Sequence, residues 1–112
     1  MTDQAVTTKV VLIIEYEGTR YHGFQLQGKK PTIQKELESA LLKLTGNDIR
    51  VATASRTDAG VHAQAQVVSF RTISGLKEET YVRALNYYLP DDIAVKFAYR
   101  VRDTFDVRRQ AV

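Results

Sequence analysis

Ile93-Ala94-Val95-Lys96-Phe97-Ala98-Tyr99-Arg100-Val101 alternates along its whole length. Ile93, Val95, Phe97, Tyr99 and Val101 share one side, and Ala94, Lys96, Ala98 and Arg100 the other, the period of a strand with one buried face. This stretch decides the fold because it closes the order of elements on a strand. Before it, residues 78–89 read as a helix stopped by Pro90, whose ring disfavours helical backbone in the residue ahead of it. Residues 64–71 and 49–54 read as two strands. Pro31-Thr32 opens an earlier helix, with Ile33, Leu37, Ala40, Leu41 and Leu44 on one face and Gly46 placed to end it. Residues 10–16, rich in β-branched and apolar side chains, read as a buried first strand.

The order is βαββαβ, which implies an α+β, ferredoxin-like domain: a four-stranded antiparallel sheet with two helices on one face. The domain spans residues 9–112. Residues 1–8 are polar and patternless and are expected to form a disordered tail. If the apolar register of the last strand faces the helices, Lys96 and Arg100 lie on the open face, with Arg50 joining them from the second strand. Such a face suits RNA or another domain, and the architecture alone does not choose between them.

Composition narrows the class. A chain of 112 residues allows one domain. It has no cysteine, which excludes disulfides, thiolate catalysis and cysteine-based zinc sites. The longest uninterrupted apolar run, residues 10–14, is far too short for a membrane span. No basic segment followed by an apolar one marks a secretory signal at the amino terminus. Together these favour the cytoplasm. The net charge of +3 is a mild pointer to nucleic acid. Arg100, Arg102, Arg108 and Arg109 crowd the carboxyl end, and Lys29-Lys30 sits in a glycine-containing loop.

Several chemistries fail on their residues. Gly23-Phe24-Gln25-Leu26-Gln27-Gly28-Lys29-Lys30 nearly spells a P-loop, but Lys30 stands where a hydroxyl should hold magnesium, and Pro31 removes a backbone N–H. His22 and His62 are the only imidazoles, lie in different loops and lack converging ligands, so no metal site is expected. No serine sits in a nucleophile-elbow pattern. Ser55-Arg56-Thr57-Asp58-Ala59-Gly60-Val61-His62-Ala63 is the informative stretch. On spacing alone, Asp58-Ala59-Gly60 is a turn in which aspartate bonds its own backbone and glycine accepts positive φ. Yet an arginine, a hydroxyl, a carboxylate and an imidazole crowd into seven residues, on a loop longer than strand pairing needs.

The octet from Arg56 to Ala63 resembles the signature of the tRNA pseudouridine synthase A family. Other segments agree in order. Residues 16–25, Tyr-Glu-Gly-Thr-Arg-Tyr-His-Gly-Phe-Gln, resemble the family's first loop, and Thr32-Ile33-Gln34 with Leu37 and Glu38 the start of its first helix. Leu85-Asn86 and Leu89-Pro90-Asp91-Asp92-Ile93 are similar to its second helix and following turn, and Phe105-Asp106-Val107-Arg108 to the segment after the last strand. Ser55 departs from the family's usual glycine and Glu17 from its usual aspartate.

The resemblance implies an isomerase acting on uridine in the tRNA anticodon arm, with neither metal nor cofactor. By position, Asp58 is the catalytic nucleophile. Carboxylates do act as covalent nucleophiles, and need no dedicated base to be ionised at neutral pH. Attack on the base and attack on the sugar both fit. A stacked uridine must first be flipped out. Arg56 would fill the vacated stack or hold a neighbouring phosphate, or else pair with Asp58 or a nearby carbonyl. Arg20, Lys29 and Lys30 would grip the RNA backbone, and His62, inside the octet, joins the RNA-binding set.

The family enzyme is expected to contain two such halves, of which this chain resembles the first. The missing C-terminal half would bring the remaining catalytic groups, so the chain alone is expected to be inactive. A homodimer is a further expectation of the resemblance. The alternative is a non-catalytic ferredoxin-like RNA-binding module. An RNA-recognition motif would stack bases on aromatics of its central strands, where the third strand here offers only Phe70.

Overall fold

The computed structural model describes residues 7–18, 32–53 and 63–101. Strand β1 (Thr8–Tyr16) is followed by helix α1 (Ile33–Thr45), strand β2 (Ala52–Thr53), strand β3 (Ala63–Thr72), helix α2 (Glu78–Tyr88) and strand β4 (Ile93–Val101). The strands form one sheet in the order β2-β3-β1-β4, and every paired neighbour is antiparallel. Each helical crossover therefore skips one strand, which is the split-βαβ, ferredoxin-like topology expected from the sequence. Thr8, assigned to the tail by its composition, opens β1, and residues 1–6 lie outside the described residues.

Local chemistry accounts for the helix ends. The Thr32 hydroxyl accepts from the Lys35 backbone N–H at 3.2 Å, an N-cap that satisfies one orphan donor of α1. Gly46 ends the helix at φ 77°, where its lack of a Cβ makes the left-handed conformation cheap, and its N–H reaches Leu42 O at 2.8 Å. Helix α2 has no side-chain cap, but Glu78 and Glu79 set negative charge against its N-terminal dipole.

Both helices cover the face of the sheet that carries Val10, Leu12, Ile14 and Tyr16 of β1 and Val68 and Phe70 of β3. Ile33, Leu37, Ala40 and Leu41 of α1, with Tyr81 and Leu85 of α2, complete the core. The Phe70 and Tyr81 rings meet edge to face, with centroids 5.6 Å apart and planes at 68°.

Strand β4 corrects one expectation. Its bounds match the alternating stretch, but its pairing with β1 jumps from Ile13↔Phe97 to Ile14↔Val95, leaving Lys96 as an extra residue in a β-bulge. The bulge reverses the facing of everything after it. Ile93, Val95 and Ala98 are buried against the helices, whereas Phe97 and Tyr99 are 53% and 50% exposed on the open face. Arg100 is correspondingly not on that face. Its Nη2 donates to the carbonyl of Leu76, a residue packed against the core, at 2.6 Å.

Candidate functional site

The six residues singled out from the sequence, Asp58, Arg56, Arg20, Lys29, Lys30 and His62, all lie outside the described residues. The structure describes the frame from which their segments depart. Tyr16, the last residue of β1, pairs with Ala63 at the start of β3 and with Ile93 at the start of β4. The exit of β1, the entry of β3 and the entry of β4 thus share one end of the sheet. The Glu17 N–H donates to Asp92 O at 2.9 Å and ties the exit of β1 to the turn before β4. Strand β2, antiparallel to β3, runs toward that end as well. The segments 19–31 and 54–62, which carry all six candidates, are therefore both bracketed by residues that lead to or from the same end.

The strand leading to residues 54–62 is held by side chains more than by its ladder. Only Ala52↔Ser69 and Thr53↔Val68 pair. Glu38 of α1, buried to 7% exposure, accepts from the Val51 backbone N–H at 3.0 Å, from Gln34 Nε2 at 2.9 Å and from Arg50 Nη1 at 3.1 Å. The Thr53 hydroxyl donates to Val67 O at 3.0 Å and accepts from the buried Gln66 amide. Asn86 does similar work on the other edge: its Nδ2 donates to Val95 O at 3.0 Å and its Oδ1 accepts from Val95 N at 2.7 Å.

The open face has a character that the alternation did not reveal. Phe97 and Tyr99 stack with centroids 6.3 Å apart and planes at 24°. Lys9 and Arg71 sit opposite each other on β1 and β3, and border a shallow depression shared with Asp48, Arg50, Ala52 and Ser69. Arg50, just ahead of β2, lines this rim, but its guanidinium is engaged by Glu38 and by Asp48, the latter at 3.2 Å. Phe70, the aromatic offered by the third strand, is buried against Tyr81 on the helix side and presents no surface for stacking.

Among the described residues no cluster of three or more His, Asp or Glu side chains is arranged to hold a metal ion. No described helix is long and apolar enough to cross a membrane.

Comparison with known proteins addresses the segments that the frame only brackets. A family model described as tRNA pseudouridine synthase matches residues 12–108. The tRNA pseudouridine synthase A of Thermoanaerobacter sp. (strain X514) is 45% identical over 102 residues, which cover 91% of this chain and 42% of that protein. The protein of the same name from Myxococcus xanthus is 50% identical over 101 residues, covering 90% of this chain and 38% of its own. That of Ruminiclostridium cellulolyticum is 45% identical over 103 residues, covering 92% and 42%. The chain thus spans roughly two fifths of the length of these relatives.

Proposed function

The chain belongs to the tRNA pseudouridine synthase family, and from that membership we propose that it brings the nucleophile Asp58 to a flipped-out uridine in the anticodon arm of tRNA. The observation that supports this reading is the family match over residues 12–108, which takes in the Arg56–Ala63 octet. The octet occupies the β2–β3 connection and enters β3 at Ala63, beside the exit of β1 and the entry of β4. Residues from the first loop and from the octet can then serve one substrate.

In the proposed reaction the Asp58 carboxylate attacks the base or the sugar of the uridine. The bond from ribose to the base nitrogen breaks, the base turns and rejoins ribose through carbon, and the bond to Asp58 breaks as its carboxylate is released. The proton displaced from that carbon balances the one gained at the freed nitrogen, so nothing is oxidised or hydrolysed. Arg56 fills the gap left in the base stack or holds an adjoining phosphate. Arg20, Lys29, Lys30 and His62 contribute affinity through the RNA backbone, a salt-sensitive contribution that carries little sequence choice.

A nucleophile alone contributes little without groups that orient and stabilise the reacting centre. We place those groups in the three fifths of the relatives' length to which this chain has no counterpart, and expect the 112 residues alone to be inactive. The fitting locale is the cytoplasm, and the fitting assembly a homodimer.

A pseudouridine count on unmodified tRNA, by mass spectrometry after selective labelling, tests the proposal. The chain is assayed with and without the remaining length of a relative, and Asp58→Ala is run beside it. Product that requires both Asp58 and the added length supports the reading. Turnover by the Asp58→Ala protein refutes it. A second reading, a non-catalytic RNA-binding module, draws on the stacked Phe97 and Tyr99, which share the open face with Lys9 and Arg71, since exposed rings and cations on one face suit unpaired bases. It predicts RNA affinity that depends on those rings, and no Asp58-dependent product under any combination.

A further inference from the structure

Strand β2 is too short to hold itself. Two residues at a sheet edge contribute a minimal ladder, and pieces of that size fray readily. What fixes it is a pair of buried polar side chains from two different elements. Glu38 of α1 is 7% exposed and Gln66 of β3 is 6% exposed. Burying either group is costly unless its hydrogen bonds are made. Glu38 commits its carboxylate to the backbone N–H of Val51 and to Arg50. Gln66 commits its amide to the Thr53 hydroxyl, which in turn donates to Val67 O. Thr53 pairs with Val68, so its side chain shares the helix-covered face with Gln66. Residues 50–53 are thereby gripped at both ends, and Thr53 stands five positions before Asp58.

We propose that Glu38 and Gln66 are positioning residues for uridine isomerisation, fixing through Arg50, Val51 and Thr53 the strand that delivers Asp58. The inference rests on the reading of Asp58 as nucleophile. Its physical basis is the tolerance of covalent catalysis, in which a misplacement of about 1 Å costs on the order of a hundredfold in rate. A two-residue edge strand does not meet that tolerance alone. Side chains that lock it from the helix side do, without touching substrate.

The test uses the chain joined to the remaining length of a relative and separates kcat from KM on unmodified tRNA, well below the melting temperature of each variant. Gln66→Leu keeps the volume and removes the amide. Thr53→Val removes the hydroxyl, and Thr53→Ser keeps it. Glu38→Gln retains an acceptor for the Val51 N–H. Gln66→Leu and Thr53→Val are expected to lower kcat by about tenfold or more with KM within about twofold. Thr53→Ser should retain most of the rate, whereas Glu38→Gln, whose amide NH2 must face Arg50 or the Val51 N–H, should lose part of it. Unchanged kcat with a lowered melting temperature would show that the grip is structural only, and would overturn the proposal. A change confined to KM, or a Thr53→Ser variant as impaired as Thr53→Val, would also overturn it. Asp58→Ala is assayed in parallel. Its inactivity beside an unimpaired Gln66→Leu sinks the positioning role alone, whereas its activity removes the nucleophile reading and the positioning role with it.

Discussion

Replacing Asn86 with alanine removes the bracket on the free edge of the sheet. Among the described residues β4 is an edge strand, and no further strand lies beside the Val95 N–H and C=O that meet Asn86. Each bond contributes about 0.5–1.5 kcal/mol net, so the pair is worth roughly 1–3 kcal/mol. Two effects reduce that figure. Asn86 is exposed, so water can reach part of the vacated site. Alanine is also the better helix former, returning about 0.5 kcal/mol within α2. The expected net loss is about 1 kcal/mol, a shift in melting temperature of about 4 °C for a domain of this size. Urea denaturation of the 112-residue chain measures the loss, and hydrogen exchange at the Val95 amide locates it. Asn86→Asp should be worse, because it loses the donor and sets a carboxylate against the Val95 carbonyl near a helix C-terminus. The opened edge should also raise self-association, detectable by sedimentation. An unchanged midpoint together with unchanged Val95 exchange would refute this reasoning.

Other outcomes follow from single side chains. The Tyr81 hydroxyl is fully buried and finds no hydrogen-bond partner among the described residues, so Tyr81→Phe should raise stability by about 1 kcal/mol in denaturant titration; a loss would count against that burial. Gly46→Ala should cost about 1 kcal/mol despite open space around the site, because φ 77° strains any side-chain-bearing residue, and calorimetry would register it as a lower melting temperature. Phe97→Ser with Tyr99→Ser should change stability little, since both rings are half exposed. The same double variant should weaken binding of single-stranded RNA, and equal affinity to the parent in a fluorescence titration would exclude a stacking role.

Helix α1 was legible almost to the residue because its signals are local: Thr32 caps, Gly46 stops, and the apolar face repeats at the helical period. The second strand was legible as burial but not as pairing. Ile49 and Val51 are buried as their alternation suggests, yet only Ala52 and Thr53 enter the ladder, and alternation records facing rather than hydrogen bonds. The last strand shows the converse failure. Its bounds agree with the alternating stretch, but a bulge leaves no mark in a pattern that alternates through it, so simple alternation sets Phe97, Tyr99 and Arg100 on the wrong faces. Glu38 was recognised only as part of a similar helix start, because nothing local announces that an acid on a helix will be buried against a neighbouring strand. The candidate site is legible only through resemblance, since spacing alone makes Asp58-Ala59-Gly60 a turn; its residues fall in segments 19–31 and 54–62, and the described fold contributes the frame around them.

The extra residue at Lys96 separates two kinds of selection along one strand. Ahead of it, every inward side chain answers to the core, and a change in size is felt as instability. Beyond it, Phe97 and Tyr99 are out of phase with the interior and answer only to whatever lies across the sheet. Those two positions can therefore drift, and redirect what the surface favours, without endangering the packing beneath. Deleting Lys96 would remove the bulge yet leave both rings on the open face, because Val95 and Phe97 already pair with the adjacent residues Ile14 and Ile13.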